Sequence, residues 1–81
     1  MERKTFIVIG AFGSGKWHWV EQKTEERKKP CFILDKIDTV DNPKERIQNA
    51  INSNFDVYVI ETRIERIPAD ILKLADEIIQ K

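Results

Sequence analysis

Cysteine is almost missing from this sequence. Cys31 stands alone, so no internal disulfide can form, and the disulfide-rich secreted scaffolds are excluded. Long apolar runs are missing too: no stretch approaches the ~20 residues of a membrane-spanning helix. Glycine and proline are scarce, at three each, which leaves out collagen-like and low-complexity chains. Neither charge is in excess, since 14 Lys and Arg balance 14 Asp and Glu. A globally basic nucleic-acid binder is therefore disfavoured, while a local basic patch stays open. The opening Met1-Glu2-Arg3-Lys4-Thr5 lacks the apolar region and small-residue cleavage site of a secretory signal. The expectation is a cytoplasmic protein without membrane contact.

What is present suits a small folded domain. Residues 1–81 are enough for one domain, 41% hydrophobic and 35% charged. A chain this short buries only about 60% of its unfolded surface, so self-association would help it. Three apolar runs punctuate the sequence: Phe6-Ile7-Val8-Ile9, Cys31-Phe32-Ile33-Leu34 and Val57-Tyr58-Val59-Ile60. Each is β-branched or aromatic, bounded by polar or glycine residues, and reads as a strand buried on both faces. Within the second, Cys31 reads as a small buried hydrophobe.

Helical signals alternate with these runs. Trp17 to Lys29 places Glu21, Glu25 and Glu26 early and Arg27, Lys28 and Lys29 late, complementing a helix dipole, with Pro30 as the stop. The charges from Lys23 to Lys29 read as a solvated face. Asp41 or Asn42 can cap a second helix with Pro43 at its first position. Ile47, Ala50 and Ile51 then give it one apolar face. Pro68 opens a third helix, for which Ile71, Leu72, Leu74, Ala75, Ile78 and Ile79 supply a broad apolar face. The predicted fold is α/β: a three-layer β-α-β-α-β-α chain with a short parallel sheet and the first strand in its middle.

All three glycines lie between positions 10 and 15. Gly10-Ala11-Phe12-Gly13-Ser14-Gly15-Lys16 fits G-x-x-x-x-G-K, between a buried strand and a helix. Glycines let such a loop curl its N–H groups around an anion, the helix start adds further N–H groups, and the lysine reaches the outer phosphates. The cofactor-binding residues predicted here are Gly10, Ala11, Phe12, Gly13, Ser14, Gly15, Lys16 and Trp17, and the cofactor is ATP or GTP. The motif departs from its full form at Trp17, where a Ser or Thr hydroxyl would hold Mg²⁺. Neutral His18 is a poor substitute for such a hard ion, so hydrolysis is expected to be weak or absent. If phosphoryl transfer occurs, Lys16 and Arg63 are the residues expected to stabilise its charge. No protein metal site is predicted: Asp35, Asp38 and Asp41 recur every third residue, but a calcium loop needs a glycine and a distal Glu.

Around this loop the chain resembles the P-loop NTPases, and within them the DNA-pumping ATPases of the FtsK–HerA and viral DNA-packaging group. Lys29-Pro30-Cys31-Phe32-Ile33-Leu34-Asp35 is similar to the second strand of that group. Tyr58-Val59-Ile60-Glu61-Thr62-Arg63, followed by Ile67-Pro68 and Ala75-Asp76, is similar to their sensor strand and the helix after it. That strand ends in Thr-Gln in the group and in Thr62-Arg63 here, and a strand ending in Asp-Glu is missing. The resemblance implies a reduced or degenerate relative that holds nucleotide. A second reading keeps the fold as a non-enzymatic interaction protein, binding a larger ATPase or another protein. A third is a self-associating ATPase subunit. Trp17 and Trp19, about 200° apart on a helix, predict one ring packed on the sheet and one exposed; the exposed ring reads first as a plain surface residue and second as a contact for a base or a partner.

Overall fold

Parallel pairing of four short strands organises the computed structural model, which describes residues 2–81; Met1 lies outside them. In chain order the elements are β1 (Thr5–Ile9), α1 (Lys16–Arg27), β2 (Cys31–Asp35), α2 (Pro43–Asn52), β3 (Asp56–Glu61), α3 (Ala69–Leu72) and β4 (Glu77–Gln80). Short 3-10 turns at Ile37–Thr39 and Ile64–Arg66 precede α2 and α3. The sheet order is β2-β3-β1-β4. Ile9 sits opposite Glu61 on one side and Gln80 on the other, and Asp35 sits opposite Ile60. The C-terminal ends of β1, β2 and β3 therefore share one sheet edge.

The central strands are the apolar runs. Every residue of β1 and β3 is buried, whereas β2 and β4, at the rims, are only partly covered. Alternation splits the core in two. Ile7, Ile9, Leu34, Val57 and Val59 face α2, with Ile47, Ala50, Ile67 and Ile71 packed on them. Phe6, Val8, Tyr58 and Ile60 face α1, roofed by Val20 and partly by Trp19. The connections explain this division. The step from β1 to β2 runs one way along the sheet, and the steps from β2 to β3 and from β3 to β4 run the other way. With right-handed crossovers, opposite directions put the connecting elements on opposite faces. The three-layer α/β expectation holds in this sense.

Three expectations are corrected. The third helix stops at Leu72, and residues 77–80 form β4, a fourth strand beside β1. The periodicity from Ile71 to Ile79 fits a helix, but Asp76 overrides it. The Asp76 carboxylate accepts the Thr5 amide at 2.7 Å, and the Asp76 amide donates to the Thr5 carbonyl at 2.8 Å. That clamp delivers the β-branched pair Ile78-Ile79 to the edge of β1. Next, β1 is interior, but its neighbours are β3 and β4, and β2 pairs only with β3. Last, the run from Lys23 to Lys29 is not wholly solvated. Arg27 is 8% exposed and meets Asp56, which is 1% exposed, through Nε–Oδ2 at 2.6 Å and Nη2–Oδ1 at 3.0 Å.

Candidate functional site

The loop after β1 is rooted at its first residue. The Gly10 amide donates to the Glu61 carbonyl at 3.1 Å, and the Lys81 amide donates to the Ile9 carbonyl at 2.7 Å. A Cβ at Gly10 would overlap Ser14 Oγ and stand 3.1 Å from Lys81 Cβ and 3.2 Å from the Lys81 carbonyl oxygen. A side chain there would have to displace the Ser14 hydroxyl and press on Lys81. The loop then turns back on itself, with the Ser14 amide donating to the Ala11 carbonyl at 3.0 Å. Gly13 and Gly15 take left-handed backbone at φ 80° and 91°, which costs a residue with a Cβ far more. Gly15 is the cap of α1, and its carbonyl accepts the Trp19 amide at 3.0 Å.

This path leaves main-chain donors over. Among the described residues no backbone acceptor meets the amides of Gly13, Gly15, Lys16, Trp17 or His18. The last three are the first-turn amides that any helix leaves unpaired, at the positive end of its dipole. Lys16 folds back across its own loop, its Nζ donating to the Gly10 carbonyl at 2.7 Å.

A cleft of about 500 Å³ opens on this edge. Phe12, Gly13, Gly15, Lys16, Trp17 and His18 line it from the loop and α1, Asp35 and Lys36 from the end of β2, and Glu61 and Thr62 from the end of β3. Two cations and two carboxylates thus face one space. Glu61 is 3% exposed. Its Oε1 accepts the Thr62 amide at 2.8 Å and the Thr62 hydroxyl at 3.1 Å, and its buried Oε2 has no partner among the described residues.

Of the predicted site residues, Phe12, Gly13, Gly15, Lys16 and Trp17 come together on the cleft. Gly10 lies beneath the loop, Ala11 is exposed beside it, and Ser14 Oγ is buried against Gly10 without a partner among the described residues. Arg63 is exposed past the end of β3 and does not line the cleft. The Asp35, Asp38 and Asp41 series does not converge. Asp35 lines the cleft, Asp38 pairs with Arg66 at 3.5 Å, and the Asp41 carbonyl accepts Arg46 Nε at 2.8 Å. Lys36 and Thr62 were passed over in the sequence. Their signal was position: each directly follows the last residue of a strand ending on this edge.

The chain matches no family model, no curated protein and no solved structure. Its chemistry is read from its own residues. Partnerless amides and Lys16 suit an anion, and ligands of open parallel sheets sit at the carboxyl ends of the strands. Among the described residues no three His, Cys, Asp or Glu side chains gather as a metal centre. No helix is long and apolar enough to cross a membrane.

Proposed function

We propose that this protein is a P-loop-like nucleotide-binding module, holding the phosphates of ATP or GTP, with weak or absent hydrolysis. The observation that carries this reading is the set of five amides without backbone partners, at Gly13 and from Gly15 to His18, on the same cleft as Lys16. The resemblance of Gly10 to Lys16 to the loop of P-loop NTPases supports it. Lys16 would exchange the Gly10 carbonyl for a phosphate oxygen, so its present bond holds the side chain over the loop. Asp35 and Glu61 suit a nucleotide-bound Mg²⁺, which takes one or two carboxylates beside substrate phosphates. The partnerless Glu61 Oε2 is the atom that fits such a cation best. When bound, the ion would spread charge between phosphate oxygens. Hydrolysis has less to draw on: Trp17 offers no hydroxyl, and Arg63 stands away from the cleft.

Titration with ATP, GTP and pyrophosphate, with and without Mg²⁺, tests the reading through tryptophan fluorescence. Trp17 lines the cleft and Trp19 reports the α1 face. A response lost in Lys16→Ala supports nucleotide binding. Silence at millimolar nucleotide in a folded chain would shift the assignment to a protein-interaction module. The exposure of Phe12, 99%, is the observation favouring that second reading.

A further inference from the structure

Four of the described large hydrophobic side chains are exposed, and the two aromatic ones, Phe12 at 99% and Trp17 at 45%, line the same cleft. The remaining aromatics all have packing partners. Phe6, Trp19 and Tyr58 contact one another on the α1 face, Phe6 stacking on Tyr58 at 5.1 Å between ring centroids. Phe32 and Phe55 pack against the core on the α2 face. The sequence thus buries its rings wherever the fold offers a seat, and leaves two at the mouth of the cleft. At Phe12 nothing in the packing asks for an aromatic, and Trp17 is half-exposed. Phe12 touches no core, and Trp17 stands where the motif carries a small hydroxyl residue.

Both rings sit within a residue of groups assigned above to phosphate. Phe12 precedes Gly13, and Trp17 follows Lys16, whose amides and side chain border the same space. A volume of about 500 Å³ lies within the ~300–1,000 Å³ range of single small-molecule sites, which suits one nucleotide better than a polymer. Two exposed aromatic side chains beside an anion seat match a ligand with an aromatic ring at one end and phosphates at the other.

We propose that Phe12 and Trp17 form an aromatic seat for the base of a nucleoside polyphosphate whose phosphates occupy the loop amides and Lys16. This rests on the nucleotide reading given above and adds the residues that would hold the base. Stacking is tolerant of base identity, because every base has a π face. ATP and GTP are therefore held alike, and Trp17 puts a ring where the motif carries a hydroxyl.

Calorimetric titration of the full chain with ATP, GTP and inorganic tripolyphosphate tests the seat. One stacked base is expected to make ATP bind about 10-fold or more tighter than tripolyphosphate, with GTP within a few-fold of ATP. Phe12→Ala removes a side chain with no packing role, so the fold is retained. It should lower the ratio of ATP to tripolyphosphate affinity toward one, a readout that a general weakening of the phosphate loop would not move. Trp17→Ala should act in the same direction, and Trp17→Phe should keep most of the preference. Equal binding of ATP and tripolyphosphate by the parent chain, or an unaltered ratio in Phe12→Ala, overturns the seat while leaving the phosphate site standing. Binding of none of the three overturns both.

Discussion

Arg27 near the end of α1 and Asp56 at the head of β3 hold each other by two parallel hydrogen bonds, at 2.6 and 3.0 Å, in a place that water hardly reaches. Arg27 also donates to the Glu2 carbonyl, and Asp56 Oδ1 accepts the Lys4 amide at 2.9 Å. The pair fastens the far end of α1 to the sheet. Removing one partner of a buried pair strands the other's charge, which costs about 3–5 kcal/mol. Arg27→Met should therefore lower the urea midpoint sharply or abolish the cooperative transition. Adding Asp56→Asn, which removes the stranded charge, should restore part of the loss. Equal stability of parent and Arg27→Met would show that the pair contributes nothing.

Acid sensitivity follows from the same pair. Burial pushes the Asp56 carboxyl up, but hydrogen bonds from Arg27 and the Lys4 amide outweigh it and leave the group below the ordinary carboxylate range. A depressed carboxylate stabilises the fold fully above its unfolded pKa, about 3.9. That contribution is lost as pH falls through the lower folded value. Stability measured by urea unfolding should thus decline below about pH 4, and Asp56→Asn should flatten this limb.

Gly10 is predicted to be the least replaceable loop residue for packing. Gly10→Ala would press on Ser14 Oγ and on Lys81, whose backbone oxygen would stand 3.2 Å away. Overpacking of this kind costs about 1–3 kcal/mol. Ser14→Ala should relieve the part due to the hydroxyl, so the double variant should be more stable than Gly10→Ala alone. Strict additivity of the two changes would argue against the contact.

Tyr58 is the chain's one tyrosine, so its ionisation can be followed without interference. Burial above all, with Asp56 adding, pushes its phenol up to about 12. The phenolate absorbance of the folded protein should appear near that pH, against about 10 for the unfolded chain. Because the folded value is the higher one, the neutral phenol favours folding below pH ~10, and this is lost as pH rises toward the folded value. Its hydroxyl is buried without a partner among the described residues. Tyr58→Phe should therefore leave stability unchanged or raise it by about 1 kcal/mol.

Cys31 is half-buried beside the α1 face, and burial, with Asp56 adding, pushes its thiol up. Thiolate is the reactive form. Alkylation at neutral pH should accordingly be slower in the folded chain than in urea, with a rate still climbing above pH 8.5. Equal rates in the two states would count against a protected thiol.

The sequence showed what local patterns can show. Apolar runs marked β1, β2 and β3, and Asn42-Pro43 marked the start of α2, where Asn42 takes the cap position but its side chain makes no capping bond. The clustered glycines marked a loop in which Gly13 and Gly15 do adopt left-handed backbone. Helical spacing showed that one of Trp17 and Trp19 would pack and the other stay exposed, and the structure makes Trp19 the packed one. What escaped depends on contacts distant in sequence. Ile71 to Ile79 satisfies helical periodicity as well as it satisfies a strand, and only the bonds between Asp76 and Thr5 decide between them. Arg27 looks like one more charge in a basic run until Asp56, 29 positions away, is brought beside it.

One helix alone roofs the face formed by Phe6, Val8, Tyr58 and Ile60. It is fastened at its tail by Arg27 and begins, at its head, in the free amides on the cleft. Whatever occupies those amides also clamps the lid of the smaller of the two hydrophobic clusters. Occupancy and melting temperature should therefore rise together, by the mass-action relation that ties any native-state ligand to folding. A plain thermal scan across candidate compounds thus doubles as a search for the molecule this protein evolved to hold.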